Sequence, residues 1–262
     1  MHSIHRSALV LGAFFFALAL SGCPSAGIYR TAKTLEPGEY DIGTSFNFTR
    51  VMQGEYKIKN EETGINETIK ATSLNFPNII PEFHAHGGIV KNLELGGRVA
   101  AGSGLIELDV KYRFLNVANK KFHMAVQPAV GYFALVALEG PSVTLPIILS
   151  YDVAKWFSVT AFGYGRYLYI TATDKALDIL TMNALNLGGG VGLQFIFKDF
   201  YIMPSVDVAG TVANFDNSIL GNMNLTTLIV GLNFGWIGGR HKQKVEDQLD
   251  RIEKKLDDRS DS

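Results

Sequence analysis

The chain has 262 residues, of which 47% are hydrophobic and only 19% charged, which excludes a disordered chain and leaves room for one barrel or two small domains. A formal net charge of -1, with no basic cluster followed by aromatic stacking positions, excludes a nucleic-acid binder. The single cysteine rules out a disulfide framework or a cysteine-rich zinc site within one chain.

Residues 1–22 read as a secretory signal. Arg6 and two histidines form a short polar start, and the apolar run Ala8 to Leu20 that follows is too short to span a bilayer. The run ends in Leu20-Ser21-Gly22-Cys23, where the lone cysteine sits. This stretch resembles the bacterial lipobox, in which small residues precede a cysteine that is acylated and becomes the new N-terminus. The resemblance implies lipidation at Cys23. It also implies sorting to the outer membrane, because Pro24 stands where an inner-membrane retention aspartate often lies. Residues 23–37 then read as a tether.

From Gly38 to Gly239 the chain repeats segments of about ten residues in which apolar and polar side chains alternate, the period of a two-faced strand. In the clearest, Ile106, Leu108, Val110, Tyr112 and Phe114 oppose Glu107, Asp109, Lys111 and Arg113. Leu93, Leu95, Gly97 and Val99 likewise oppose Glu94 and Arg98, and Leu228, Val230, Leu232, Phe234 and Trp236 oppose Thr227, Gly231, Asn233 and Gly235. About ten such segments, an even number, fit an outer-membrane barrel. They start near Gly38, Asn78, Leu93, Leu105, Phe122, Val143, Phe157, Ala184, Phe200 and Leu225.

Alternate connections fall into two classes, as periplasmic turns and extracellular loops should. Lys91-Asn92, Asn116 to Lys121, Asp152 to Trp156 and Lys198-Asp199 are short and carry lysine. Met52 to Ala71, Thr171 to Asn183 and Ala213 to Asn224 are longer, whereas the outer loops Ala101 to Gly104 and Leu138 to Ser142 are short. Strand parity sends Tyr40, Phe114, Phe122, Tyr151, Phe157, Phe197, Phe200 and Trp236 outward at the periplasmic end, and Phe46, Phe48, Tyr132, Tyr167 and Tyr169 outward at the other. Two aromatic girdles result. The expected fold is therefore all-β, an antiparallel transmembrane up-and-down barrel over residues 38–239, with lipid on the periplasmic side and loops extracellular.

Two rival readings stand beside it. Ile179 to Phe197 and Asn217 to Gly239 lack the charges that would bar a transmembrane helix, though their glycines, asparagines and alternation oppose one. A lipid-tethered periplasmic sandwich would share the alternation but bury the apolar face.

Thr31-Ala32-Lys33-Thr34-Leu35 with Gly38-Glu39 resembles the start of the first strand in small bacterial barrel lipoproteins of unassigned function. Gly231, Phe234 and Trp236 resemble the terminal signal read by the barrel-assembly machinery, from which the chain departs at Ile229 and by continuing. In the tail 240–262, Val245, Leu249, Ile252 and Leu256 recur at helical spacing, so a short periplasmic helix with a periplasmic partner is an expectation. Outer-membrane lipid and the assembly and lipoprotein-sorting machineries are the other expected partners.

Chemistry is sparse. Glu82, His84 and His86 alternate on one strand face and point into the lumen; they could offer three ligands to zinc, but no fourth is assured and a hydrogen-bond network is the plainer reading. Gly188-Gly189-Gly190 lies within an alternating strand and is not a phosphate loop, so no cofactor, metal or catalytic residue is expected. Arg98 belongs in the lumen opposite Glu107 or Asp109, beside His84 or His86, with Lys111 and Arg113 balancing nearby acids. The first functional reading is a non-enzymatic structural or surface protein. A narrow, porin-like channel or carrier for a small solute and an outer-membrane hydrolase are the alternatives.

Overall fold

Tyr40 lies opposite Gly238, and from that pair the first and last strands run side by side, so the sheet closes on itself. The computed structural model describes residues 30–59, 66–71, 74–117, 121–135, 138–172, 181–215 and 220–239. The expected signal, Cys23 and the expected C-terminal helix therefore lie outside the described residues.

Closure follows from alternation. Once every strand is apolar on one side and polar on the other, an up-and-down sheet can hide its edges only by joining first to last. The strands are β1 (Tyr40–Lys59), β2 (Asn66–Ala71), β3 (Leu74–Val90), β4 (Leu93–Ala100), β5 (Leu105–Val117), β6 (Phe122–Val126), β7 (Ala129–Leu135), β8 (Leu138–Ala154), β9 (Phe157–Ala172), β10 (Thr181–Phe197), β11 (Phe200–Phe215) and β12 (Leu220–Gly238). All neighbours are antiparallel, and β12 pairs β1. β6 and β7 share one stave between β5 and β8, and β2 pairs only with the far end of β1. The twelve strands thus make a ring of about ten staves, as the alternation predicts.

The ring is apolar outside. Ile106, Leu108, Val110, Tyr112 and Phe114 are exposed while Leu105, Glu107, Asp109, Lys111 and Arg113 are buried. Tyr40, Tyr151, Phe197 and Trp236 stand exposed toward one end, and Phe46, Phe48, Tyr132, Tyr167 and Tyr169 toward the other. A polar interior behind an apolar wall is the transmembrane arrangement, and a sandwich would invert it. The two stretches open to a helical reading are strands β10 and β12.

Several boundaries differ from the sequence expectation. β1 continues to Lys59 and returns in β2, so most of Met52 to Ala71 is a projecting hairpin. Leu138 to Ser142 belongs to β8 and is not a loop. The segment beginning at Phe122 is broken at Gln127-Pro128 because proline has no N–H for the ladder; the Pro128 carbonyl accepts from Val110 N and the Gln127 N–H donates to Pro146 O.

Two ends of the barrel can be distinguished. One, the terminal end, carries Tyr40, Gly238 and the turns at Lys91-Asn92, 155–156 and Lys198-Asp199; the other, the loop end, carries the β1–β2 hairpin.

Candidate functional site: the filled lumen

The lumen is packed in layers. Toward the loop end Val51, Leu105, Phe133, Leu168, Ile170, Met182, Met223 and Leu225 form an apolar layer across the barrel. Below it lies an ionic layer, and below that a segment of chain that is not part of the sheet.

Register builds the ionic layer. β4 pairs with β5 so that Arg98 faces Glu107 and Gly96 faces Asp109, and β3 sets His84 beside Arg98. Arg98 Nε donates to Glu107 Oε2 at 2.5 Å, and its Nη1 lies 3.5 Å from Glu82 Oε2. The other Glu107 oxygen accepts from Thr144 Oγ1 at 2.9 Å and from Arg166 Nη2 at 3.3 Å. Glu82 accepts from Asn47 Nδ2 at 2.8 Å. Two arginines and two carboxylates alternating at this depth neutralise one another, which a charge behind an apolar wall requires.

The histidines turn to different partners. His84 Nε2 is 3.2 Å from the Tyr201 hydroxyl, whereas His86 Nε2 is 3.0 Å from Asp109 Oδ2. Asp109 also accepts from Gln127 Nε2 at 2.8 Å. Glu82, His84 and His86 do not converge on one point, and the described residues contain no group of three ligands suited to a metal ion. Gly96 makes room for the His86 ring, since a Cβ at that position would sit 1.9 Å from the ring and 2.7 Å from the Ala85 carbonyl oxygen. A cavity of about 30 Å³ is bordered by Glu82, His86, Arg98 and Arg30.

Lys111 lies nearer the terminal end, with Nζ 2.9 Å from Glu94 Oε1. Among the described residues Arg113 meets no acid in the same way; its Nε and Nη2 donate to Asn92 Oδ1 at 3.0 and 2.6 Å, anchoring the Lys91-Asn92 turn.

Residues 30–36, near the far end of the stretch read as a tether, lie inside this end of the lumen, and Pro37 is exposed. Arg30 enters between two walls, its Nε 2.7 Å from Asp41 Oδ2 and its Nη1 2.6 Å from Glu94 Oε2. Burial disfavours the charged guanidinium, but Glu94 and Asp41 outweigh it and hold Arg30 above its ordinary pKa. Lys33 reaches Asp152 at 2.9 Å. The segment's backbone is bound as well: Ala32 N donates to Ser150 Oγ at 2.7 Å, Leu35 N to Glu94 Oε1 at 2.8 Å, and Lys111 Nζ to the Thr31 carbonyl at 3.3 Å. Ala32 packs with Ala125, Ile148 and Phe162, and Leu35 with Tyr201, Met203 and Ile237.

Sequence reasoning assigned no role to Arg30, Asp41, Arg166 or Tyr201. A charge count on inward positions is the signal that could have found the first. Among the described residues Asp41, Glu82, Glu94, Glu107, Asp109 and Asp207 are buried on strands, against Arg98, Lys111, Arg113 and Arg166. The acids outnumber these cations, with only His84, His86 and His123 as further basic groups buried on strands, which favours a cation from outside the strands.

No family model matches the chain. No curated protein matches it either. Among solved structures it is similar to the outer membrane protease OmpT from Escherichia coli, at 7% identity over 79% of this chain and 100% of that one, with a TM-score of 0.47. It is also similar to an outer membrane channel from Pseudomonas putida F1, at 7% identity over 82% of this chain and 100% of that one, TM-score 0.37. A third is Ail, the attachment invasion locus protein of Yersinia pestis, at 13% identity over 77% of this chain and 100% of that one, TM-score 0.27. At these scores no residue or activity of those proteins carries over to this chain.

Proposed function

We propose that the chain is a closed bacterial outer-membrane barrel lipoprotein with a structural or surface-presenting role. It is acylated at Cys23 on the periplasmic side, presents the β1–β2 hairpin outside the cell, and neither conducts solutes nor catalyses a reaction. The observation that carries this reading is the filled cross-section: Lys111 and Glu94 are both 0% exposed, although both are charged and stand inside the barrel. Residues 30–36 cover both groups, with Arg30 and the Leu35 N–H on Glu94 and Lys111 on the Thr31 carbonyl, whereas an open lumen with the segment out would leave them wet, as in large porins. The acid–histidine pairs among the described residues, His84 with Asp41, His86 with Asp109 and His123 with Asp152, lie within the barrel and away from the loop end, which speaks against a hydrolase acting at the outer rim.

Swelling of liposomes carrying the refolded full chain tests the closed state. Swelling in arabinose at the rate of protein-free vesicles is expected. Faster swelling would favour the narrow carrier instead.

A further inference from the structure

We propose that the terminal end of the lumen is a binding chamber for a dibasic peptide, which the protein fills with its own residues 30–36. The contacts have the form of peptide recognition. Between Thr31 and Leu35 the backbone is gripped by side chains of three staves, Lys111 on β5, Ser150 on β8 and Glu94 on β4. Such bonds hold a peptide backbone whatever its side chains.

Specificity comes from charge. Asp41 and Glu94 clasp Arg30, and Asp152 with Ser158 Oγ at 3.4 Å takes Lys33 three residues on. These carboxylates would repel an anionic occupant, and a neutral one would forfeit the ion pairs of Arg30 with Asp41 and Glu94 and of Lys33 with Asp152. The arrangement therefore favours two cations spaced as in Arg-Thr-Ala-Lys.

Shape points the same way. Gly88 leaves room for the segment, since a Cβ there would sit 2.1 Å from the Glu36 carbonyl oxygen. A cavity of about 120 Å³, bordered by Lys33, Thr34, Lys111 and Gln194, runs beside the segment, so this chamber is looser than the ionic layer above it. The segment also belongs to no strand, and its release would break no ladder. It behaves as a ligand supplied by the same chain.

The test uses the full chain refolded in detergent and a labelled synthetic peptide, Ala-Gly-Ile-Tyr-Arg-Thr-Ala-Lys-Thr-Leu-Glu-Pro, followed by fluorescence anisotropy. The unsubstituted protein, its chamber filled, should not bind. The Arg30→Ala/Lys33→Ala protein should bind saturably, and a peptide with both cations changed to glutamine should lose at least about tenfold in affinity, as befits loss of buried charge pairs. A folded double variant that binds no better than the unsubstituted protein overturns the proposal. Hydrogen exchange on the unsubstituted chain decides the matter if that variant does not fold. The Ala32 and Leu35 amides should exchange at least about tenfold faster than ladder amides of β4 and β5, showing release without unfolding. Exchange at the ladder rate would mean that the segment is a fixed part of the barrel, and the proposal would fall.

Discussion

Arg98 and Glu107 face each other across β4 and β5, and the guanidinium Nε donates to the carboxylate at 2.5 Å in a layer closed above by apolar side chains. Removing one partner of such a pair strands the other in a medium that cannot solvate it. Arg98→Ala should cost about 3–5 kcal/mol in urea unfolding of refolded protein, whereas the outward Val99→Ala control should cost about 1 kcal/mol or less. A cost near that of the control would mean that water reaches the pair.

Arg30 gives the second prediction. Arg30→Ala leaves Asp41 without its closest cation, so this variant should lose about 3 kcal/mol, and Arg30→Ala/Asp41→Asn should lose less than the single change. A double-mutant cycle from urea midpoints should show coupling on the order of 1–3 kcal/mol. Additive losses would place Arg30 in water.

The outer wall supplies the third. Val110 is 39% exposed on the apolar face of β5, opposite Leu95. Val110→Arg should destabilise the protein in bilayers by about 2–4 kcal/mol if it sits near the midplane. The same change at Val117, near the terminal end of β5, should cost about 1 kcal/mol or less. Equal effects would contradict the assigned position of the belt.

What could be read from the sequence was whatever the two-residue period touches. Ile106 to Phe114 fixed both the face of β5 and, through the short Ala101 to Gly104 connection, the pairing of Arg98 with an acid. The period fades beyond the apolar belt, where water lies on both faces, so Gln53 to Lys59 read as loop although β1 runs through it. Arg166 was hidden because its outward neighbours Gly163 and Gly165 are glycines, which blur the contrast between faces. Residues 30–37 have no period of any kind. Only the excess of inward acids marks their place.

Acylation is tested by metabolic labelling. Radioactive palmitate should enter the unsubstituted protein and be lost in Cys23→Ser, since the lipobox-like run precedes the chain's one cysteine. Label retained by the variant would contradict the lipoprotein reading without touching the barrel.

The central claim is that the apolar wall itself holds this protein in the membrane. Carbonate extraction tests it most directly, applied to Cys23→Ala exported with an ordinary secretory signal so that no acyl chain contributes. The account predicts that the protein stays in the membrane pellet. Complete release into the soluble fraction would contradict it.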